Sequence, residues 1–346
     1  MEIGIIGLPS VGKSTLFNAL TGLSVPAENF PFTTIEPNVG VVPVPDERLK
    51  KLGGIFKPQK LTSAPIRFVD IAGLVKGASK GEGLGNKFLS HIREMDALVQ
   101  VLRDFKNEDV VNVLGEPNPE NEKAVIETEL MLADLEQAVK LRDKLFSSAK
   151  SGDKTSREKL DLLTKVKEGL DLGRPIRKQD INPEDIKEYQ FLTSKPILYV
   201  LNTGESAPAV SPADGSVVIS AKIETELNGL SAEERADFRK EMGIETTGLQ
   251  KLIAEAFKML GLITFYTVVG TEVRAWNILK GSTAASAAGK IHTDMEKGFI
   301  RAEVYNFSDL ESHGSEKALR DKGLIRIEGK DYIVKDGDIL KINFKA

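Results

Sequence analysis

Eight residues near the amino terminus, Gly7-Leu8-Pro9-Ser10-Val11-Gly12-Lys13-Ser14, set two glycines, a lysine and a serine at the spacing G-x-x-x-x-G-K-S. That spacing suits a nucleoside triphosphate. Gly7 and Gly12 let the backbone curl so that its N–H groups face phosphate oxygens, and the helical stretch that follows, Thr15–Leu20, adds its positive N-terminal dipole. Lys13 is placed to reach the β- and γ-phosphates and Ser14 to offer its hydroxyl to Mg²⁺. A second stretch, Asp70-Ile71-Ala72-Gly73, follows the apolar run Ile66–Val69. An aspartate at a strand end beside a P-loop can hold the metal through water, and the Gly73 N–H can meet the γ-phosphate. Lys13, Asp70 and Gly73 are therefore the expected catalytic set. Between the two motifs, Phe30-Pro31-Phe32-Thr33-Thr34-Ile35 carries two adjacent threonines. Spacing alone leaves Thr33 and Thr34 equally able to complete the metal shell when a γ-phosphate is present, which would make this segment a switch. Leu74 stands where many P-loop hydrolases carry a water-orienting glutamine, so turnover is expected to be slow without a partner. The run Lys76–Gly85 holds four glycines and two lysines, suited to a phosphate or an RNA backbone.

Base choice is read from Asn202-Thr203-Gly204-Glu205. GTPases of this type use N-K-x-D, whose aspartate accepts from the ring N–H and exocyclic amine of guanine. Here threonine replaces the lysine and glutamate the aspartate, displacing the carboxylate by one methylene. A buried acceptor left unpaired costs about 1–3 kcal/mol, roughly tenfold or more in discrimination. Backbone groups near Asn202 and Thr203 can instead meet adenine, with Ser220 and Ala221 of Ser220-Ala221-Lys222 flanking the base. ATP is expected over GTP.

These residues need a sheet to hold them. Ile3–Ile6, Ile66–Ile71, Ala97–Leu102, Pro196–Leu201 and Val217–Ile219 are continuous apolar runs, as in parallel strands covered on both faces by helices. The pattern is α/β, a doubly wound P-loop domain. From about 120 to 192, Val125, Ile126, Leu130, Leu132, Leu135, Val139 and Leu145 recur at helical spacing. A polar stretch, Ser147–Ser156, interrupts them, and Leu160, Leu163, Val166 and Leu170 resume the stripe. This reads as an inserted, coiled-coil-like helical hairpin. From 261 the chain is richer in β-type runs: Thr264–Val269, Phe299–Tyr305, Leu324–Ile327, Tyr332–Val334 and Ile339–Phe344, with turns at Gly329-Lys330 and Asp336-Gly337-Asp338. The expected organisation is 1–119 and 193–260 for the nucleotide-binding domain, 120–192 for the insertion and 261–346 for a small α+β domain.

Composition narrows the class. The 346 residues include no cysteine, which excludes disulfides, thiolate nucleophiles and zinc–cysteine sites, and only three histidines. No run approaches the roughly 20 apolar residues of a membrane span, and the chain opens directly on a buried-type strand, so a cytoplasmic protein is expected. The net charge of −4, from 47 basic and 51 acidic residues, rules out a generic polyanion binder; any contact with RNA must be local.

The longer blocks GLPSVGKST (7–15), NFPFTTIEPNVGVVP (29–43), DIAGLVKGASKGEGLGN (70–86), N-x-x-E (202–205), EVRAW (272–276) and GKIHTDMEKGFIRAEV (289–304) resemble the YchF family of Obg-like ATPases. The resemblance covers nearly the whole chain. It implies a C-terminal TGS domain of β-grasp type, hydrolysis of ATP in preference to GTP, and association with the ribosome or a ribosomal subunit, with rRNA contact through the TGS and helical domains. By the same resemblance Ser14 and Thr34 are the Mg²⁺ ligands. Ser10, Val11, Gly12, Lys13, Ser14 and Thr15 bind phosphate, and the Thr203 backbone meets adenine. Asn112 stands where many relatives carry a histidine. Alternatives are an Obg-type GTPase, or a ribosome- or RNA-binding module in which nucleotide is structural.

Overall fold

The computed structural model describes residues 1–23, 38–71, 84–105, 116, 118–204, 215–241 and 245–345. The chain opens with β1 (Glu2–Ile6), α1 (Lys13–Thr21), β2 (Val39–Pro43), α2 (Glu47–Phe56), β3 (Lys60–Thr62) and β4 (Pro65–Asp70). It continues through α3 (Leu84–Glu94), β5 (Ala97–Asp104), the helical pair α4 (Pro119–Lys150) and α5 (Lys154–Asp171), and α6 (Pro183–Ile186). Then come β6 (Ile197–Thr203), β7 (Val217–Ile219), α7 (Ala221–Gly229), α8 (Ala232–Glu241) and α9 (Gly248–Met259). The last part holds β8 (Leu262–Val269), β9 (Glu272–Leu279), α10 (Ala284–Ile291), α11 (Thr293–Lys297), β10 (Phe299–Asn306), α12 (Phe307–His313), α13 (Glu316–Asp321), β11 (Arg326–Glu328) and β12 (Asp338–Phe344).

Two six-stranded sheets result. The first has the order β2-β4-β1-β5-β6-β7, and β4, β1, β5, β6 and β7 run parallel. Its central strands β1 and β5 are buried runs of Ile, Val and Leu, with Ile3, Ile5, Ile6, Leu98 and Val99 exposing no surface, while β4 and β6 are half-buried at several positions. Burial on both faces is why these runs lack a polar alternation. The parallel strands end together at one edge, which carries the P-loop after β1, Asp70 at the end of β4 and Asn202-Thr203 at the end of β6. The second sheet has the order β11-β10-β12-β8-β9-β3. A β8–β9 antiparallel hairpin is followed by α10, and the final strand β12 lies parallel to β8 and antiparallel to β10. This is the β-grasp arrangement.

The described residues divide into two compact units; the second begins at Ile253 rather than 261, the 120–192 insertion falls within the first, and one further difference is larger. Residues Val41–Ile66, read above as part of the nucleotide-binding domain, belong with Ile253 onward. Leu49 and Leu52 of α2 share a core with Tyr266, Val273, Tyr305, Leu310 and Ile339, and β3 pairs in parallel with β9. A polar cluster fixes the same segment: Asp46 caps α2 and accepts from the Tyr266 hydroxyl at 2.5 Å, while Arg48 pairs with Asp336 at 2.7 Å. The pairing joins residues about 210 positions apart, which no local pattern announces.

The helical hairpin forms as expected, with Ala138, Leu163, Val166 and Leu170 buried together with Ile176, Ile186 and Phe191. Its details differ in two places. Helix α4 continues through the polar stretch to Lys150, and only 151–153 make the turn, where Gly152 takes a φ of 99°. Leu132, read as part of the stripe, faces outward at 46% exposure. In the second unit, Tyr332–Val334 makes only an isolated bridge from Ile333 to Thr283 rather than a strand. The strand β9, absent from the sequence reading, supplies the hairpin partner of β8; its buried Val273 and Ala275 face one core and Ile278 the other.

Candidate functional site: the phosphate loop and its clamp

The loop between β1 and α1 is shaped by two left-handed residues, Ser10 (φ 66°) and Gly12 (φ 91°). Gly12 is the N-cap of α1, with no capping side chain and no acidic residue in the first turn. The first-turn N–H groups of Lys13, Ser14 and Thr15 therefore have no intrahelical partner and point out of the helix start, the geometry that favours an anion. Gly7 is needed for close approach: a Cβ there would lie 2.9 Å from Val11 Cγ2 and 3.0 Å from the Val101 carbonyl oxygen. A Cβ on Gly12 would collide with the Asn202 carboxamide.

Lys13 donates from Nζ to Asp70 Oδ1, and both side chains are mostly buried. An ammonium has three donors, so two remain for phosphate oxygens. Asp70 is held by its own backbone, whose N–H donates to the Asn38 carbonyl at 2.8 Å. Leu8, Pro9, Ser10, Lys13, Ser14, Asn38 and Asp70 line one cleft of about 460 Å³, the size range of small-ligand sites. Ser10, Ser14 and Thr15 are exposed in this region. Asn38 was not singled out from sequence. Its signal is an asparagine in the left-handed region, φ 68°, a conformation that Asn tolerates better than most residues.

Asn202, at the end of β6, makes two contacts that its motif position does not announce. It is 5% exposed. Its Nδ2 donates to the Val11 carbonyl at 2.9 Å and its Oδ1 accepts from the Ala221 N–H at 3.0 Å. One carboxamide thus ties the phosphate loop to the start of α7. Thr203 is buried beside it, with its hydroxyl 3.5 Å from the Ile219 carbonyl. The Ser220 hydroxyl is buried and has no hydrogen-bond partner among the described residues. Ala221 is buried at the α7 start. Asn228 of α7 donates to the Ala19 carbonyl at 2.6 Å, a second tie between α7 and α1.

The structure therefore lines the cleft with Ser10, Lys13, Ser14 and Asp70, keeps Val11, Gly12 and Thr15 in the same loop and helix start, and sets Asn202, Thr203, Ser220 and Ala221 along the neighbouring strand ends. Thr33, Thr34, Gly73, Leu74, Asn112 and Glu205 lie outside the described residues. Of the histidines, His292 caps α11, its Nδ1 accepting the Asp294 N–H at 3.2 Å. Trp276 is half-buried against the second-unit core and donates to Thr267 Oγ1 at 2.9 Å, with Arg274 over its ring at 4.2 Å. Among the described residues no group of three or more His, Cys, Asp or Glu could hold a metal ion.

Five parallel strands carrying a glycine-shaped loop, an uncapped helix start and a lysine–aspartate pair define a P-loop nucleotide-binding protein. The family model described as "50S ribosome-binding GTPase" matches residues 2–131. The YchF-GTPase C-terminal model, described as "Protein of unknown function (DUF933)", matches 262–345. The chain is 47% identical over 360 residues to the "Ribosome-binding ATPase YchF" of Escherichia coli O157:H7, covering 100% of this chain and 99% of that one. It is 43% identical over 364 residues to the protein of the same name from Bacillus subtilis strain 168, with both chains fully covered. The solved "Schizosaccharomyces pombe YchF GTPase" superposes with a TM-score of 0.88 at 35% identity, covering 99% of this chain and 97% of that one. The chain belongs to the YchF family.

Proposed function

We propose that this chain is a cytoplasmic, ribosome-binding ATPase that hydrolyses ATP with Mg²⁺ and changes its interactions with nucleotide state. The observation that carries the reading is the Lys13–Asp70 pair at the mouth of an anion-shaped loop. The full-length likeness to proteins named ribosome-binding ATPases supports the partner and the reaction. No helix among the described residues is long and apolar enough to cross a membrane.

The roles follow from chemistry. Lys13 offsets charge on the β- and γ-phosphates while its bond to Asp70 fixes its direction. The loop N–H groups of residues 10–15 receive phosphate oxygens. The donors around the cleft, a serine hydroxyl and one carboxylate, suit Mg²⁺, which binds through one or two protein oxygens and completes its shell with water and phosphate. Ser14 and, by resemblance, Thr34 would be its direct ligands, with Asp70 acting through water. When bound, the ion supplies neutralisation of charge between the β- and γ-phosphates. Gly73 would sense the γ-phosphate. The step is direct in-line attack of water on the γ-phosphorus, with Ser14 and Asp70 committed to the ion and Lys13 to phosphate charge rather than to a covalent intermediate. Asn202, Thr203, Glu205, Ser220 and Ala221 would form the base pocket, with Asn202 holding its geometry. Residues 261–346 would form the TGS domain and 120–192 the helical insertion.

GTP is the competing substrate, favoured by the name of the solved fission-yeast relative. Equilibrium binding of fluorescent ATP and GTP to nucleotide-free protein with Mg²⁺ decides between them. ATP tighter by about tenfold is expected from the threonine and glutamate at 203 and 205. Equal or tighter GTP binding would overturn the base assignment.

A further inference from the structure

Among the described residues, Ser10, Asn38, Lys57 and Gln190 take a positive φ without being glycine. Two of them have an ordinary explanation. Lys57 ends α2 and Gln190 ends the short helical turn Lys187–Tyr189, the place where a left-handed residue closes a helix. Ser10 and Asn38 end no helix, and both line the nucleotide cleft with Lys13, Ser14 and Asp70. Backbone strain of this kind collects at ligand sites. Ser10 belongs to the phosphate loop. Asn38 stands outside it, immediately before β2, and no role described so far uses its side chain.

The backbone and the side chain of Asn38 do separate things. Its carbonyl accepts the Asp70 N–H at 2.8 Å, which fixes the end of β4 that carries the carboxylate. A glycine would hold a φ of 68° with less strain and offer the same carbonyl, so the turn does not account for the carboxamide. Packing does not either: Asn38 is exposed, and its side chain makes no hydrogen bond with any described residue. Beside it, Asp70 Oδ1 accepts from Lys13, while Oδ2 has no partner among the described residues. This is the end of the cleft suited to Mg²⁺, which takes one or two protein oxygens and keeps several waters. Those waters need acceptors, and groups that hold them fix the shell around an ion. Asp70 Oδ2 is one such acceptor. The Asn38 carboxamide oxygen, on the residue hydrogen-bonded to Asp70, supplies a second without adding charge.

We propose that Asn38 is a positioning residue for the magnesium ion, its carboxamide oxygen accepting from a water of the ion's shell beside Asp70. The proposal rests on the nucleotide-and-magnesium reading given above and deepens it by naming a further residue that holds the ion in place.

The test uses the nucleotide-free full chain, fluorescent ATP, and the variants Asn38→Gly and Asn38→Asp. Glycine keeps the left-handed turn and removes the carboxamide; aspartate keeps an acceptor oxygen at the same reach. Affinity is measured in EDTA and then as magnesium is titrated, with urea midpoints alongside. Asn38→Gly is expected to match the parent in EDTA and to need about two- to tenfold more magnesium for half-saturation, the worth of one hydrogen bond. Asn38→Asp should stay at or below the parent's magnesium midpoint. A glycine variant with the parent's magnesium midpoint overturns the proposal and leaves Asn38 a turn residue. Weaker binding by Asn38→Gly in EDTA, at an unchanged urea midpoint, assigns the carboxamide to phosphate and overturns the ion assignment. An aspartate variant that needs as much extra magnesium as glycine overturns the acceptor role, and this arm decides if glycine lowers the urea midpoint. A parent chain that binds no ATP, or binds it equally with and without magnesium, overturns the reading on which the proposal rests.

Discussion

Replacing Asn202 by alanine tests the geometry of the whole nucleotide edge. The side chain is 5% exposed and makes two short bonds, to the Val11 carbonyl at 2.9 Å and from the Ala221 N–H at 3.0 Å. Truncation leaves both backbone groups buried without partners. Each such group costs about 1–3 kcal/mol, so the pair amounts to about 2–6 kcal/mol. Against a typical total stability of about 5–15 kcal/mol, that is a large fraction. Some of it should appear as lost stability, because α1 and α7 are no longer tied at this end. The rest should appear as weaker nucleotide binding, because Val11 sits inside the loop whose N–H groups must converge on phosphate.

The expected result is a lower urea midpoint and at least a tenfold loss of affinity, which corresponds to about 1.4 kcal/mol, of the same size for ATP and GTP. Equality across the two nucleotides is the discriminating feature. A clamp acts on the phosphate loop, which both ligands share, whereas a base-reading residue would change their ratio. Asn202→Asp sharpens the test. One carboxylate oxygen can still accept from Ala221, but the other now faces the Val11 carbonyl, acceptor against acceptor, in a buried place. It should be at least as damaging as alanine. Unchanged stability and affinity in Asn202→Ala would refute the clamp. A selective loss of ATP or of GTP would return Asn202 to base recognition.

Two further outcomes are expected. Lys13→Ala removes the phosphate counter-charge and leaves Asp70 without its partner, so steady-state ATP hydrolysis should fall to background; full retained activity would remove the P-loop from the mechanism. All five tyrosines have phenols pushed above their ordinary value of 10, burial being the largest cause at each. Tyr332, whose hydroxyl donates to Asp338 at 2.8 Å, is pushed up to about 12. Because the fold favours the neutral phenols, the stability they contribute is complete below about pH 10 and is lost as pH rises toward 12. Absorbance at 295 nm should therefore show less tyrosinate at pH 10 in the native chain than in urea, where about half is ionised. Equal titration in both states would refute the burial argument.

What the sequence disclosed and what it concealed divide along a physical line. Triphosphate binding imposes residue types at fixed local spacing, and the loop from Gly7 to Ser14 could be read because strand, glycine turn, lysine and helix start must follow one another within a few residues. Asp70 was legible for a similar reason, as a carboxylate where a buried strand must end. The helical arm could be read because its apolar period repeats over several turns, although Leu132 satisfied the period while facing solvent. The placement of Val41–Ile66 was hidden because it depends on pairings that span the chain: β3 is three residues long and gains its ladder only from β9. Asp46 likewise has meaning only beside Tyr266, 220 positions away. Asn202 shows the same limit inside the site itself. Its motif position placed it near a base, while the partners the fold gives it are Val11, 191 residues earlier, and Ala221, 19 residues later. A motif locates a side chain along the chain; the partners that give it a role are supplied by the sheet. For this edge that means the phosphate loop and the start of α7 share one buried carboxamide, so a change in either is transmitted to the other through it.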